Sequence, residues 1–258
     1  MKKFLKSSKK WTFFAVFFLG AAVLPAGTAF GGALANLEMI QGEVMIHAAG
    51  AAPETWQPAT ANTPLNNGDS VKTANGSCAI VYSDQATISL QPNTTVTVQE
   101  KSDSQDILLS LGKLGMKVNK EKSTKPFQVV TPTAVGAVRG TEVDFDFNKD
   151  GQLTVDLHDG NLHVYNDEAG MALDLAGGNK IKINYNADAG ILKIQNDCGS
   201  KGIVSFSVLG TEYAESPCEE KEIDLSTGEG ETKPLETPPG DNPENPRDDI
   251  PQDVSPVQ

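Results

Sequence analysis

The chain has 258 residues, 38% hydrophobic and 6% aromatic, with 21 Lys and Arg against 34 Asp and Glu and a formal net charge of −13. A surface of that sign repels phosphate backbones and anionic lipid, which argues against nucleic-acid binding and favours a freely solvated protein. The length suits one sizeable domain or two small ones and does not choose between them.

Residues 1–35, MKKFLKSSKKWTFFAVFFLGAAVLPAGTAFGGALA, place five lysines before Trp11 and then an uncharged run to Leu24 that is too short for a comfortable membrane span. This is the shape of a secretory signal peptide. Ala33 and Ala35 frame an A-x-A site, so cleavage is expected after Ala35, with Ala29 as the second choice; an uncleaved anchor is the alternative, weakened by Pro25 and the clustered glycines. The body of the protein is then exported, periplasmic or extracellular, with no stable membrane span after cleavage. Loss of the five leader lysines takes the net charge from −13 to −18.

Beyond the leader no convincing amphipathic helix occurs before residue 223, whereas short period-2 or β-branched runs recur between Gly, Asn, Asp and Pro. The pattern predicts an all-β chain, a β-sandwich or short β-roll of paired hairpins. Strands are expected at 37–48, 70–74, 77–83, 86–90, 94–99, 106–111, 113–119, 126–131, 140–147, 152–157, 161–166, 171–175 and 180–185. Asn67-Gly68-Asp69, Asn75-Gly76, Asp150-Gly151 and Asp159-Gly160 each put glycine where positive φ is cheap, as tight connections require. QLTVDLHDGNLHV, 152–164, reads as the clearest hairpin, since Leu153, Val155 and Leu157 alternate with polar residues and Leu162 and Val164 resume the pattern after the turn.

The domain limits expected are a leader at 1–35, a main β domain at 36–185, a small C-terminal β segment at 186–223 and a tail at 224–258. In the third segment GILKIQ and GIVSFSVLG are the best strands. The last, rich in Pro and acid, lacks the apolar surface to offset ordering entropy and reads as disordered. In an exported protein Cys198 and Cys218 are a possible disulfide pair, which leaves Cys78 in a strand-like run as a small buried hydrophobe.

Several short motifs follow one another in a fixed order. Gly42-Glu43-Val44 opens the series; Leu65-Asn66-Asn67-Gly68-Asp69-Ser70-Val71-Lys72-Thr73 follows, then Ile88-Ser89-Leu90-Gln91-Pro92-Asn93-Thr94, then Leu109-Ser110-Leu111-Gly112-Lys113-Leu114. Last come Thr131-Pro132-Thr133-Ala134 and Val138-Arg139-Gly140-Thr141. In these pieces the chain resembles the FecR domain family, exported sensor or scaffold domains best known as the periplasmic part of regulators that relay an outer-membrane iron signal. The likeness covers about 41–165, with an extension to 185. It departs from those regulators before residue 41, where a signal peptide stands in place of their cytoplasmic segment and membrane helix.

Gly68, Asp69, Thr73, Arg139, Gly140 and Thr141 are the family-motif residues to which the resemblance gives a structural role. Arg139 is a lone cation amid small and β-branched residues. A bidentate ion pair with Asp69 or a neighbouring carboxylate such as Asp144 or Asp146 is the expected account, with ligand contact as the alternative. Asp146-Phe147-Asn148-Lys149-Asp150-Gly151 imitates the first half of a calcium loop, but position twelve is Leu157 and a strand follows where a helix should start. His47, His158 and His163 fit no zinc or catalytic spacing, and no nucleophile motif or phosphate loop occurs. The expectation is a non-enzymatic binding or sensor module without cofactor or metal, its partner an envelope protein or glycan. A scaffold role in an envelope or extracellular assembly, or the periplasmic part of a sigma-factor signalling system, is the alternative.

Overall fold

The computed structural model describes residues 32–83 and 85–234, which contain strands and no helix. The expected leader lies outside the described residues apart from its last four positions, and so does the expected tail beyond Pro234. In chain order the strands are β1 (Ala35–Gln41), β2 (Val44–His47), β3 (Gln57–Pro58), β4 (Pro64–Leu65), β5 (Ser70–Thr73), β6 (Ser77–Tyr82) and β7 (Ala86–Leu90). They continue with β8 (Thr95–Glu100), β9 (Gln105–Val118), β10 (Phe127–Val130), β11 (Val135–Val138), β12 (Glu142–Phe147), β13 (Gln152–Asp159) and β14 (Asn161–Asn166). The last are β15 (Met171–Ala176), β16 (Asn179–Asn186), β17 (Ile191–Asn196), β18 (Val204–Val208), β19 (Thr211–Glu215), β20 (Glu219–Asp224) and β21 (Glu229–Pro234).

These strands form two layers. Sheet A runs β4-β1-β6-β7-β9-β12-β13-β16-β17-β20-β21. Sheet B runs β3-β2-β5-β8-β9-β10-β11-β14-β15-β18-β19. Every pairing is antiparallel except β9 with β10. β9 belongs to both layers: residues 105–111 pair in sheet B and 112–118 in sheet A. The period-2 pattern explains the core, because alternate residues of each strand face the opposite layer. Val143, Phe145, Leu153, Val155, Leu157, Ile181 and Ile183 are all fully buried, each stabilising the fold by roughly 1.5–3 kcal/mol relative to exposure.

The chain changes layer at tight corners, and glycine marks them. At Gly42 it leaves β1 in sheet A for β2 in sheet B, packed so closely on Gly76 that a Cβ on Gly76 would stand 2.4 Å from the Gln41 carbonyl. The expected strand 37–48 is therefore two strands in different layers. At Gly112, φ +97°, the opposite happens: the expected 106–111 and 113–119 are one strand that bends across. The stretch 152–164 is not a hairpin. β13 pairs with β12 and β16, and β14 pairs with β11 and β15, so Asp159-Gly160 is a corner between layers. A corner and a hairpin use the same Asp-Gly chemistry and the same flanking alternation, so only pairing partners separate them.

Past β9 the hairpin turns gather at one rim, at 131–134, 148–151, 167–170, 187–190, 209–210 and 225–228, and the corners gather at the other. The corner rim is tied together. Gly177 N donates to Gly160 O at 2.9 Å, and a Cβ on Gly160 would stand 2.9 Å from Gly140 O. The segment 186–223 supplies further hairpins to the same two sheets, and β21 carries sheet A to Pro234.

Candidate interaction surfaces

The motif residues sit at the corners and fasten them. Thr73, fully buried, donates its hydroxyl to Gln91 O at 2.6 Å and accepts from Thr94 N at 2.9 Å. Thr94 in turn donates to Lys113 O and accepts from Lys113 N, both at 3.0 Å, and a Cβ on Gly112 would meet its hydroxyl at 2.6 Å. Three motifs far apart in sequence thus close one crossing between the layers. In the T-P-x-A element, Thr131 Oγ1 donates to Ala134 O at 2.7 Å, and Thr133 Oγ1 reaches Gly151 O at 2.6 Å.

Asp69 is buried beside Gly68, φ +87°, and caps its turn by accepting from Asn66 N at 2.8 Å and Ala49 N at 2.9 Å. It is not the partner of Arg139. Arg139 is exposed, and among the described residues no carboxylate forms an ion pair with it, so the expected internal clasp is corrected. The physical reason is its place at the corner between β11 and β12: Val138 faces the core, the next side chain points out, and Gly140, φ +67°, then packs on Lys120. Of the neighbouring carboxylates considered, Asp144 lies 3.3 Å from Lys113 instead, and Asp146 is exposed on the same strand. Thr141 is buried, and its carbonyl accepts from Val118 N at 3.0 Å.

Cys198 and Cys218 are joined in a disulfide that ties the β17–β18 corner to the β19–β20 corner. Cys78 is free and buried, and burial pushes its thiol up to about 11. In the calcium-like stretch the Asn148 side chain caps its own turn, accepting from Asp150 N and Gln152 N at 3.0 Å. Among the described residues no three His, Cys, Asp or Glu side chains are grouped to hold a metal. His163 pairs with Asp174 at 2.8 Å, and His158 lies 3.6 Å from Asp144, all on outer faces. His47 packs at 5.3 Å on Trp56, with Lys72 6.0 Å from that ring, forming a small aromatic patch on sheet B.

The outer face of sheet A is a ladder of alternating charge. Lys113 and Lys117 on β9 face Asp144 and Glu142 on β12, at 3.3 and 2.9 Å. Across β13, Asp156 meets Lys180 on β16 at 3.5 Å, and Lys193 on β17 meets Glu222 on β20 at 2.5 Å. The acids of β12 and β13 therefore lie between lysine-bearing strands. Period-2 lysines at 180 and 182 were a readable signal for this face, but which strand each would meet was not.

One inner-face group is unexpected. Glu215 is 0% exposed, and neither carboxylate oxygen has a hydrogen-bond partner among the described residues. Burial raises its pKa, with Glu219 adding to the rise and Lys221 opposing it. The alternation Tyr213, Glu215 in β19 was the sequence signal that it points inward.

Residues 69–163 match the family model described as FecR protein. No curated protein matches the chain. Two crystal structures of a candidate anti-sigma factor from Parabacteroides distasonis ATCC 8503 are similar at 16% identity, with TM-scores of 0.41 and 0.40 over 57% of this chain. The aligned part spans 59% and 58% of those chains, under two thirds of their length. The match to the FecR protein family runs from Asp69, in the turn before β5, to His163 in β14, so it takes in β5 to β13 and the start of β14.

Proposed function

We propose that this protein is an exported, non-enzymatic binding or sensor module of the cell envelope, acting by contact through its outer sheet faces and edges. The observation that supports the reading is where the FecR signature falls. Thr73, Thr94, Gly112, Gly140 and Thr141 hold the crossings between layers, which leaves the charged face of sheet A and the Trp56 patch of sheet B for recognition. Its partner is then an envelope protein or glycan, and the periplasmic part of a sigma-factor signalling system is the alternative that the FecR match supports.

The test is fractionation of cells carrying a C-terminally tagged chain, followed by capture from envelope extract. Processed protein in the periplasm or medium that retains one defined partner supports the proposal; a cytoplasmic, unprocessed chain overturns it. A second reading, a scaffold, is favoured by the serial addition of hairpins to both sheets, and a sedimenting homopolymer of the purified protein would select it.

A further inference from the structure

We infer that the edge of sheet A at β21 is a docking site for a lysine-bearing extended segment of another protein, added as the next strand of the sheet. This rests on the binding-module reading and names the class of partner. β21 pairs with β20 on one side, and among the described residues no strand pairs with its other side. Its outward backbone groups are a template for strand addition.

The charge pattern states which strand fits. Glu229 stands opposite Asp224 and Glu231 opposite Glu222, so the turn half of the terminal hairpin sets acid against acid, while further along Lys233 stands opposite Glu220. Directly opposed like charges destabilise a strand pair. On the same face the other acidic hairpin, β12–β13, has Lys113 and Lys117 on one flank and Lys180 on the other. β20 has Lys193 on its inner flank, and the outer flank of this second acidic hairpin is the open side of β21. A strand with lysines at alternate positions there would repeat what β9 and β16 do for β12 and β13.

The chain's own C-terminal residues fit poorly. Residues 235–258 carry prolines at 238, 239, 243, 246, 251 and 256, which cannot donate to a ladder, and six acids against the single Arg247. The acids Glu229 and Glu231 thus disfavour the acidic tail while leaving a cationic strand acceptable. A second copy paired antiparallel through β21 can set Glu231 opposite Lys233, so a self-paired dimer is the competing occupant, and a chain that dimerises through β21 in sedimentation and leaves the Lys-Val peptide unbound would overturn the proposal.

The test uses the folded chain and three synthetic hexapeptides: alternating Lys and Val, alternating Glu and Val, and the Lys-Val peptide N-methylated at alternate residues. Binding is read by fluorescence anisotropy, and strand addition by amide hydrogen exchange over residues 229–234. The expected result is binding of the Lys-Val peptide alone, with slower exchange in β21 and affinity that falls with salt. Reversing both acids, Glu229→Lys with Glu231→Lys, should weaken it at least about fivefold and admit the Glu-Val peptide. Equal binding of the N-methylated peptide, unchanged β21 exchange, or indifference to the charge reversal would overturn the proposal. None of those results would bear on export or on capture of an envelope partner through another face.

Discussion

Thr94 shows how one hydroxyl can join two layers. Buried and hydrogen-bonded to both backbone groups of Lys113, it holds the bend of β9 against the turn that enters β8. Thr94→Val keeps the shape and strands those groups, so we expect a loss of about 2 kcal/mol in urea denaturation. Arg139 is the contrasting case. Exposed and without a paired carboxylate among the described residues, it should tolerate Arg139→Ala within about 0.5 kcal/mol, whereas a buried clasp would have cost about 3 kcal/mol or more. Glu215 sets a pH dependence of defined sign. Its folded pKa lies above its unfolded value, so the folded state holds the proton longer and stability falls as pH rises from the unfolded pKa through the folded one. Glu215→Gln should remove that fall and raise the melting temperature at pH 7 relative to the wild type, with little difference near pH 3.

Among elements, the corners and the hairpins divide the work. Hairpins extend each sheet, while the corners set which layer a strand enters. The Cys198–Cys218 disulfide joins two corners at a sequence separation of 20, where closing a loop of that size contributes about 3 kcal/mol. Reduction, or Cys198→Ser with Cys218→Ser, should therefore lower stability by about that amount and speed hydrogen exchange first in β17–β20. The strands β12, β14 and β15 were legible from their alternation, and their observed limits lie close to the expected ones. β11, only Val135–Val138, was missed because Gly136 and Ala137 carry little apolar signal; the glycine is there because a Cβ would stand 2.7 Å from the Phe145 ring. No local pattern announces a contact made with the opposite layer.

At the scale of the whole molecule, β9 makes the two sheets one cooperative object. Because it pairs in both layers, and because β17–β20 add to those same sheets, the purified domain should unfold in one calorimetric transition. A separate early transition confined to residues 186–223 would show that those hairpins are energetically independent.

Residue order alone determined the all-β class, most strand positions, the FecR signature and the cysteine pair, since these depend on side-chain period, turn chemistry and short motifs. Tertiary structure alone decided that Asp159-Gly160 is a corner, that Arg139 is exposed while Glu215 is buried, and that acid and lysine strands alternate across sheet A. The reason is physical: alternation tells a side chain that it faces inward or outward, but its partner is set by pairing between strands tens of residues apart.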